Sequence, residues 1–238
     1  MSNVIAIVRK ELKGYFNSPI AYIFIIVFLT LSGWLFFRGF FLIGQADMRP
    51  FFSLMPWIFL FFIPSVSMRL WAEERKLGTV EILMTLPLKD WEAVLGKFLA
   101  GLTLIGIALL LSISIPIAVA YLGNPDTGPI VGGYVGTLLL GAAYLAIGLF
   151  ASTLTENQII AFIIGVVFCF VMLIIGEDIV LFSVPGFLAP LLRYIGLAVH
   201  FSSIGRGVID SRDIIYYLSV ISFFLYLSVH VVQSRRWR

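Results

Sequence analysis

Charge is scarce in this chain, and it is densest in one run, Arg69-Leu-Trp-Ala-Glu-Glu-Arg-Lys-Leu-Gly-Thr-Val-Glu-Ile-Leu-Met-Thr-Leu-Pro-Leu-Lys-Asp-Trp-Glu92. With Lys97 it sets five basic residues (Arg69, Arg75, Lys76, Lys89, Lys97) against five acidic ones (Glu73, Glu74, Glu81, Asp90, Glu92). A balanced charge run is by itself only a solvated face. Two features ask more of this one. Thr79 to Met84 is apolar, and Leu77, Val80 and Met84 fall at i, i+3 and i+7, one helical stripe, with Glu74, Gly78 and Glu81 on another side. Gly78 either admits a neighbouring backbone or breaks the element, and Pro87 ends it. A short amphipathic element of this kind offers apolar contact and ion pairs together. That is the chemistry of gripping a partner protein.

Bond-making chemistry finds no support. There is no H-E-x-x-H and no G-x-x-x-x-G-K-[ST]; Gly96-Lys97 looks like the tail of a phosphate loop, but Phe98 follows it and the upstream glycine is missing. Ser32-Gly33, preceded by Thr30-Leu31, fails the G-x-S-G pattern of an intramembrane serine protease. His200 and His230 stand isolated in sequence, which makes both surface or interface residues rather than metal ligands. Glu177 and Asp178 form an acidic pair that either caps the element after it or faces a substrate, with capping the better fit. Cys169, the sole cysteine, excludes an intrachain disulfide and a cysteine metal site. No catalytic residue, cofactor or metal is assigned, and neither is nucleic acid as a partner.

The elements that must position the charged run follow from composition. Residues of the set AVILMFWYC make up 61% of the 238, and charged ones only 12%, where a soluble domain has about 25%. No soluble fold of this size hides so much apolar surface. The chain therefore reads as an all-α, polytopic membrane protein. Six stretches reach the roughly 20 apolar residues of a span: Ile20–Phe37, Phe51–Met68, Phe98–Leu122, Ile130–Leu154, Ile159–Ile175 and Ile214–Val232. Ile179–Leu192, short and interrupted by Pro185 and Pro190, reads as a re-entrant or interfacial hairpin between spans five and six, within an external segment 176–213. The first apolar run has no small-residue cleavage site after it and is kept as a span. Lys and Arg number eleven on the side of both termini and five on the other, which puts the termini and the 69–92 loop in the cytoplasm. Residues 1–19 hold an amphipathic interface helix, Val4–Phe16, with Arg9, Lys10 and Lys13 toward anionic lipid, and Pro19 turns the chain into the bilayer. Gly132, Gly136, Gly141 and Gly148 allow close helix approach, first within the bundle and otherwise at a subunit interface.

The stretch Ala72-Glu-Glu-Arg-Lys-Leu-Gly-Thr-Val-Glu-Ile-Leu-Met-Thr-Leu-Pro87 resembles the A-E-E-[RK]-x-x-G-T-[LV]-E-x-L-x-x-x-P stretch of ABC-2 type permeases, the membrane subunits of one class of ATP-binding-cassette transporter. Lys10-Glu11-Leu12, Ser18-Pro19 and the span pattern extend the resemblance over nearly the whole chain, which makes residues 1–238 a single transmembrane domain. The likeness is to the branch of gliding-motility permeases and of copper-processing permeases from nitrous-oxide reductase maturation, with the gliding-motility type favoured. The resemblance implies that the loop after span two is a coupling helix docking on a separate ABC ATPase, present in two copies. It carries that role onto Glu73, Glu74, Arg75, Gly78, Thr79, Glu81, Leu83 and Pro87. It also implies a dimer with itself or a similar permease, the bacterial inner membrane, and export. Two other readings stand beside it: a membrane anchor passing ATPase-driven mechanical work to envelope machinery, and an ion-coupled carrier. The carrier would need ionisable residues inside the spans, and these are missing.

Overall fold

The computed structural model describes residues 2–79, 88–208 and 210–235, and every regular element among them is a helix. Val80, Glu81, Leu83, Met84 and Pro87 of the charged loop lie outside the described residues.

Helix α1 (Ser2–Asn17) stops where Pro19, with no N–H to donate, begins the next helix. Helix α2 (Ile20–Ile43) runs six residues beyond the expected end at Phe37. Arg38 does not stop it, because the guanidinium lies over the Trp34 ring, 5.9 Å from the centroid, with its stem along apolar surface. Gly44, at φ +66°, ends it by turning its N–H back to Phe40 O. Helix α3 (Arg49–Ser67) passes through Met68 into α4 (Arg69–Lys76). After the undescribed stretch come α5 (Asp90–Ser112) and α6 (Ser114–Leu122). Helix α7 (Thr127–Leu154) is capped by Asp126, whose carboxylate accepts Gly128 N–H, and α8 (Gln158–Ile174) by Asn157, which accepts Ile159 N–H. Three short helices follow, α9 (Asp178–Leu181), α10 (Ala189–Ile195) and α11 (Leu197–Gly205), and then α12 (Ser211–Arg235).

Among the described residues five helical stretches are long and apolar enough to cross a membrane: Ile20–Ile43, Arg49–Lys76, Asp90–Leu122, Thr127–Leu154 and Ser211–Ser234. Gln158–Ile174 is apolar but has only 17 residues, about 26 Å at 1.5 Å each, short of a hydrocarbon core of roughly 30 Å. Of the six expected spans, five thus have full length among the described residues, and the fifth in chain order is shorter. Residues 179–192 hold α9, bends around Pro185 and the start of α10, and Phe182 and Phe187 there are exposed.

Helix α7 is the centre of the bundle and touches α3, α5, α8, α11 and α12. Its glycines explain how one helix takes so many neighbours. A Cβ on Gly133 would overlap the Phe52 ring, and one on Gly148 the Ser67 hydroxyl. At Gly132 it would come within 2.6 Å of Ile204 O, and at Gly141 within 3.1 Å of Phe59. All four glycines of the stripe read from the sequence are filled by side chains or backbone of this same chain.

Candidate functional site: a charged junction at one end of the bundle

The geometry at the charged run starts with α1. It lies along the first turns of α5, and Gly96 lets it in: a Cβ there would be 2.7 Å from Ile7 Cγ2 and 3.3 Å from Val4 O. The glycine that looked like part of a phosphate loop is a seat for a helix. Asn3 Nδ2 donates to Glu92 Oε2 at 3.2 Å, and the same oxygen accepts the Lys89 N–H, closing the N-terminus of α5.

Next to Gly96, Lys97 is turned into this seam and is 1% exposed. Its Nζ is 2.9 Å from Glu11 Oε1 on α1 and 2.9 Å from Glu74 Oε1 on α4, and sits 5.0 Å from the centre of the Trp71 ring. Lys10 Nζ reaches the same Glu74 oxygen at 3.1 Å. Two ammonium groups and two carboxylates thus join three elements with no net charge. Burial alone would lower the Lys10 pKa, but the Glu74 and Glu11 carboxylates outweigh it and hold the ammonium above its usual 10.5. The Tyr15 hydroxyl, one turn along α1, is raised far out of the physiological range, by burial first and the Glu11 charge second. A buried charge stripped of its partners is strongly destabilising, so each member holds the others in place.

Helix α4 is held from its other side by α7. The first N–H groups of a helix lack intrahelical acceptors. Those of Trp71 and Ala72 both donate to Ser152 Oγ at 3.1 Å, and the Ser152 hydroxyl donates to Met68 O at 2.9 Å. Trp71 is fully buried beneath. On the outer face, Arg69 grips Glu73 through two bonds, Nε at 2.9 Å and Nη2 at 3.0 Å. Gly78, at φ +68°, breaks the helix; nothing stands within 4 Å of where its Cβ would be, so of the two roles read for it the break is the one it takes.

The residues read as partner-facing therefore divide. Glu74 points inward, onto Lys10 and Lys97. Glu73 and Arg75 are half-buried, while Leu77, Gly78 and Thr79 are exposed. Glu81, Leu83 and Pro87 fall in the undescribed stretch. Glu74, Glu92 and Lys97 are drawn inward by pairing, so the run is neither a plain solvated face nor wholly a partner-facing one. Lys10, Glu11 and Ser152 complete the junction and were not singled out as members of it. The one local signal for Lys97 is a cation placed beside a glycine at the edge of a long apolar run.

His200 needs a second correction. It is buried, with Nδ1 2.7 Å from Asp213 Oδ1 and Nε2 2.9 Å from Tyr194 O. Both partners are hydrogen-bond acceptors. Its face stacks on Tyr216 at 3.8 Å. This cluster ties α10 and α11 to the start of α12, at the opposite end of the bundle from Lys97.

A model of the ABC-2 family transporter proteins matches residues 6–233, and the chain belongs to that family. It is accordingly a multi-pass membrane protein with a permease role in an ABC transporter, a membrane subunit of a kind that generally lacks catalytic activity and works with an ABC ATPase. No individually curated protein matches it.

Proposed function

We propose that the chain is the permease subunit of an ABC exporter of the bacterial inner membrane, and that α4 with the residues after it is the segment on which a separate ATPase docks. Both termini then lie in the cytoplasm, α8 serves as a short sixth crossing, and residues 176–213 lie outside. Two permease subunits, identical or similar, pair with two ATPases. The observation that carries this reading is the double anchorage of α4, by Lys97 to α1 and α5 and by Ser152 to α7. A docked segment passes on a push only if it cannot slide over the bundle, and this one is tied at two faces. ATP-driven closure of the ATPase pair shifts α4, and work follows if the ATP-bound and ATP-free states differ in affinity for cargo on the two sides.

Within the proposed segment the residues have different tasks. Glu73, Arg75, Gly78 and Thr79 face the ATPase together with Glu81, Leu83 and Pro87, and Glu74 holds the segment to the bundle. Co-purification tests this. Glu81→Lys lowers ATPase recovery by about tenfold, the loss typical of a charge reversed within an interface, while membrane insertion is unchanged. Equal recovery overturns the docking assignment. Orientation is tested with Lys76→Cys, which is clean because Cys169 is buried. A membrane-impermeant maleimide labels it only after the cells are permeabilised; labelling in intact cells puts α4 beyond the motor's reach.

The gliding-motility branch is the finer assignment we favour, on the likeness of the 72–87 stretch. In that branch the same junction serves an anchor that transmits mechanical work. Cargo-stimulated ATP hydrolysis in proteoliposomes marks the exporter, and hydrolysis indifferent to any cargo marks the anchor.

A further inference from the structure

At the end of the bundle away from Lys97, an open cleft of about 850 Å³ lies between the start of α3, the end of α8 and the helices α9 to α11. This is the size range of small-ligand sites, roughly 300–1,000 Å³. Its polarity is graded. The floor is the buried Phe52, Pro56, Leu173 and Phe201, with the more exposed Trp57 ring beside them. Trp57 lies eight residues into α3 from Arg49, about 12 Å along the helix at 1.5 Å per residue. The rim is charged, and the exposed side chains of Glu177, Asp178, Arg193 and Arg206 all line it. Arg49 also lines it, but lies 3.6 Å from Asp47 and 3.9 Å from Asp126.

The two rim carboxylates and the Arg193 guanidinium enter no ion pair among the described residues, and Arg206 Nε is held by Ser202 O instead. Opposite charges face one cleft without closing on each other, above an apolar floor. We infer that the cleft binds a zwitterionic amphiphile. Its anionic group lies on Arg193 and Arg206, its cationic group on Glu177 and Asp178, and its chain on Trp57 and Leu173. A purely anionic head would meet the two carboxylates, and a purely cationic one the two arginines. The inference deepens the permease reading by naming the class of cargo, and the binding itself is independent of any ATPase.

The test uses the purified full chain in mixed micelles of a nonionic detergent, with Trp57 fluorescence as the readout. Trp57→Phe supplies the background of the other tryptophans. Probes are chain-brominated amphiphiles with phosphocholine, phosphoglycerol or trimethylammonium heads, each in a one-chain and a two-chain form. Phosphocholine quenches Trp57 at a concentration about tenfold lower than either singly charged head, as two charge-assisted contacts against one require. The one-chain form acting from solution identifies a soluble cargo; quenching by the two-chain form alone identifies a membrane lipid. Arg193→Gln with Arg206→Gln, and separately Glu177→Gln with Asp178→Asn, reduce the preference to less than about threefold, losing one of the two contacts each. These rim positions are exposed, so folding is kept, and an unchanged elution profile on size exclusion checks it. Equal quenching by all three heads, or a preference that survives both pairs of substitutions, overturns the inference. ATPase recovery is unchanged by the rim variants, so failure of docking and failure of binding give different results.

Discussion

Lys97 shows how a single side chain can be misread when its neighbours in space are distant in sequence. By position it is one more basic residue on the flank of an apolar run. Its partners, Glu11 and Glu74, lie 86 and 23 residues away, and no local spacing brings them together. Lys97→Met leaves two carboxylates facing an apolar stem and costs about 3 kcal/mol, since the cost of a broken buried pair is mostly that of the stranded charge. Thermal denaturation in detergent measures it. Adding Glu74→Gln to that variant recovers part of the loss, and a purely additive result would show that the two side chains do not interact. His200 repeats the lesson at the other end. Its acceptor Asp213 is thirteen residues on, across a chain reversal. His200→Phe keeps the stacking on Tyr216 but leaves Asp213, whose Oδ2 already lacks a hydrogen bond, with no partner for Oδ1. We expect a stability loss of about 2 kcal/mol or more, the cost of a buried acceptor left unmade, together with weaker quenching of Trp57, because α11 carries Phe201 and Arg206 to the cleft.

At the scale of elements, apolar runs foretold the long helices well, because hydropathy sums over twenty residues and tolerates local exceptions. Their ends were less legible. Helix α2 runs past Arg38 because an arginine at a membrane edge can lay its stem along the helix, which a count of charges does not register. The glycine stripe of α7 was visible as a pattern, but which glycine meets which neighbour was not. That difference is testable. Gly133→Ala drives a methyl into the buried Phe52 ring and costs about 1–3 kcal/mol. Gly14→Ala in α1, where nothing stands within 4 Å of the new Cβ, gains about 0.5–1 kcal/mol from helix propensity alone. Melting temperatures of the two variants should move in opposite directions, and a shift of the same sign would contradict this account of how the glycines of α7, Gly133 beside the stripe included, pack.

For the molecule as a whole, class and family were legible from 61% apolar residues and one sixteen-residue stretch, and the comparison over residues 6–233 agrees on the family. Cargo was not legible, because the rim of the cleft is assembled from α9, α10 and α11, short helices whose mutual placement no periodicity encodes. Helix α7 joins these two levels of information. Near its last turn Ser152 accepts the N–H groups of α4, and near its first turns Gly132 and Gly136 are pressed by Ile204 of α11. Its 28 residues span about 42 Å, and beyond Pro129 in the first turn it contains no proline. Helix α3 beside it carries Pro56 and Pro64 in its interior and is the natural place to bend. A rod without a joint, clamped at both tips, cannot take up a displacement halfway along. Under the docking proposal, a shove on α4 must then either tear two hydrogen bonds from one serine or tilt the wall of the cleft at the far end of the bundle.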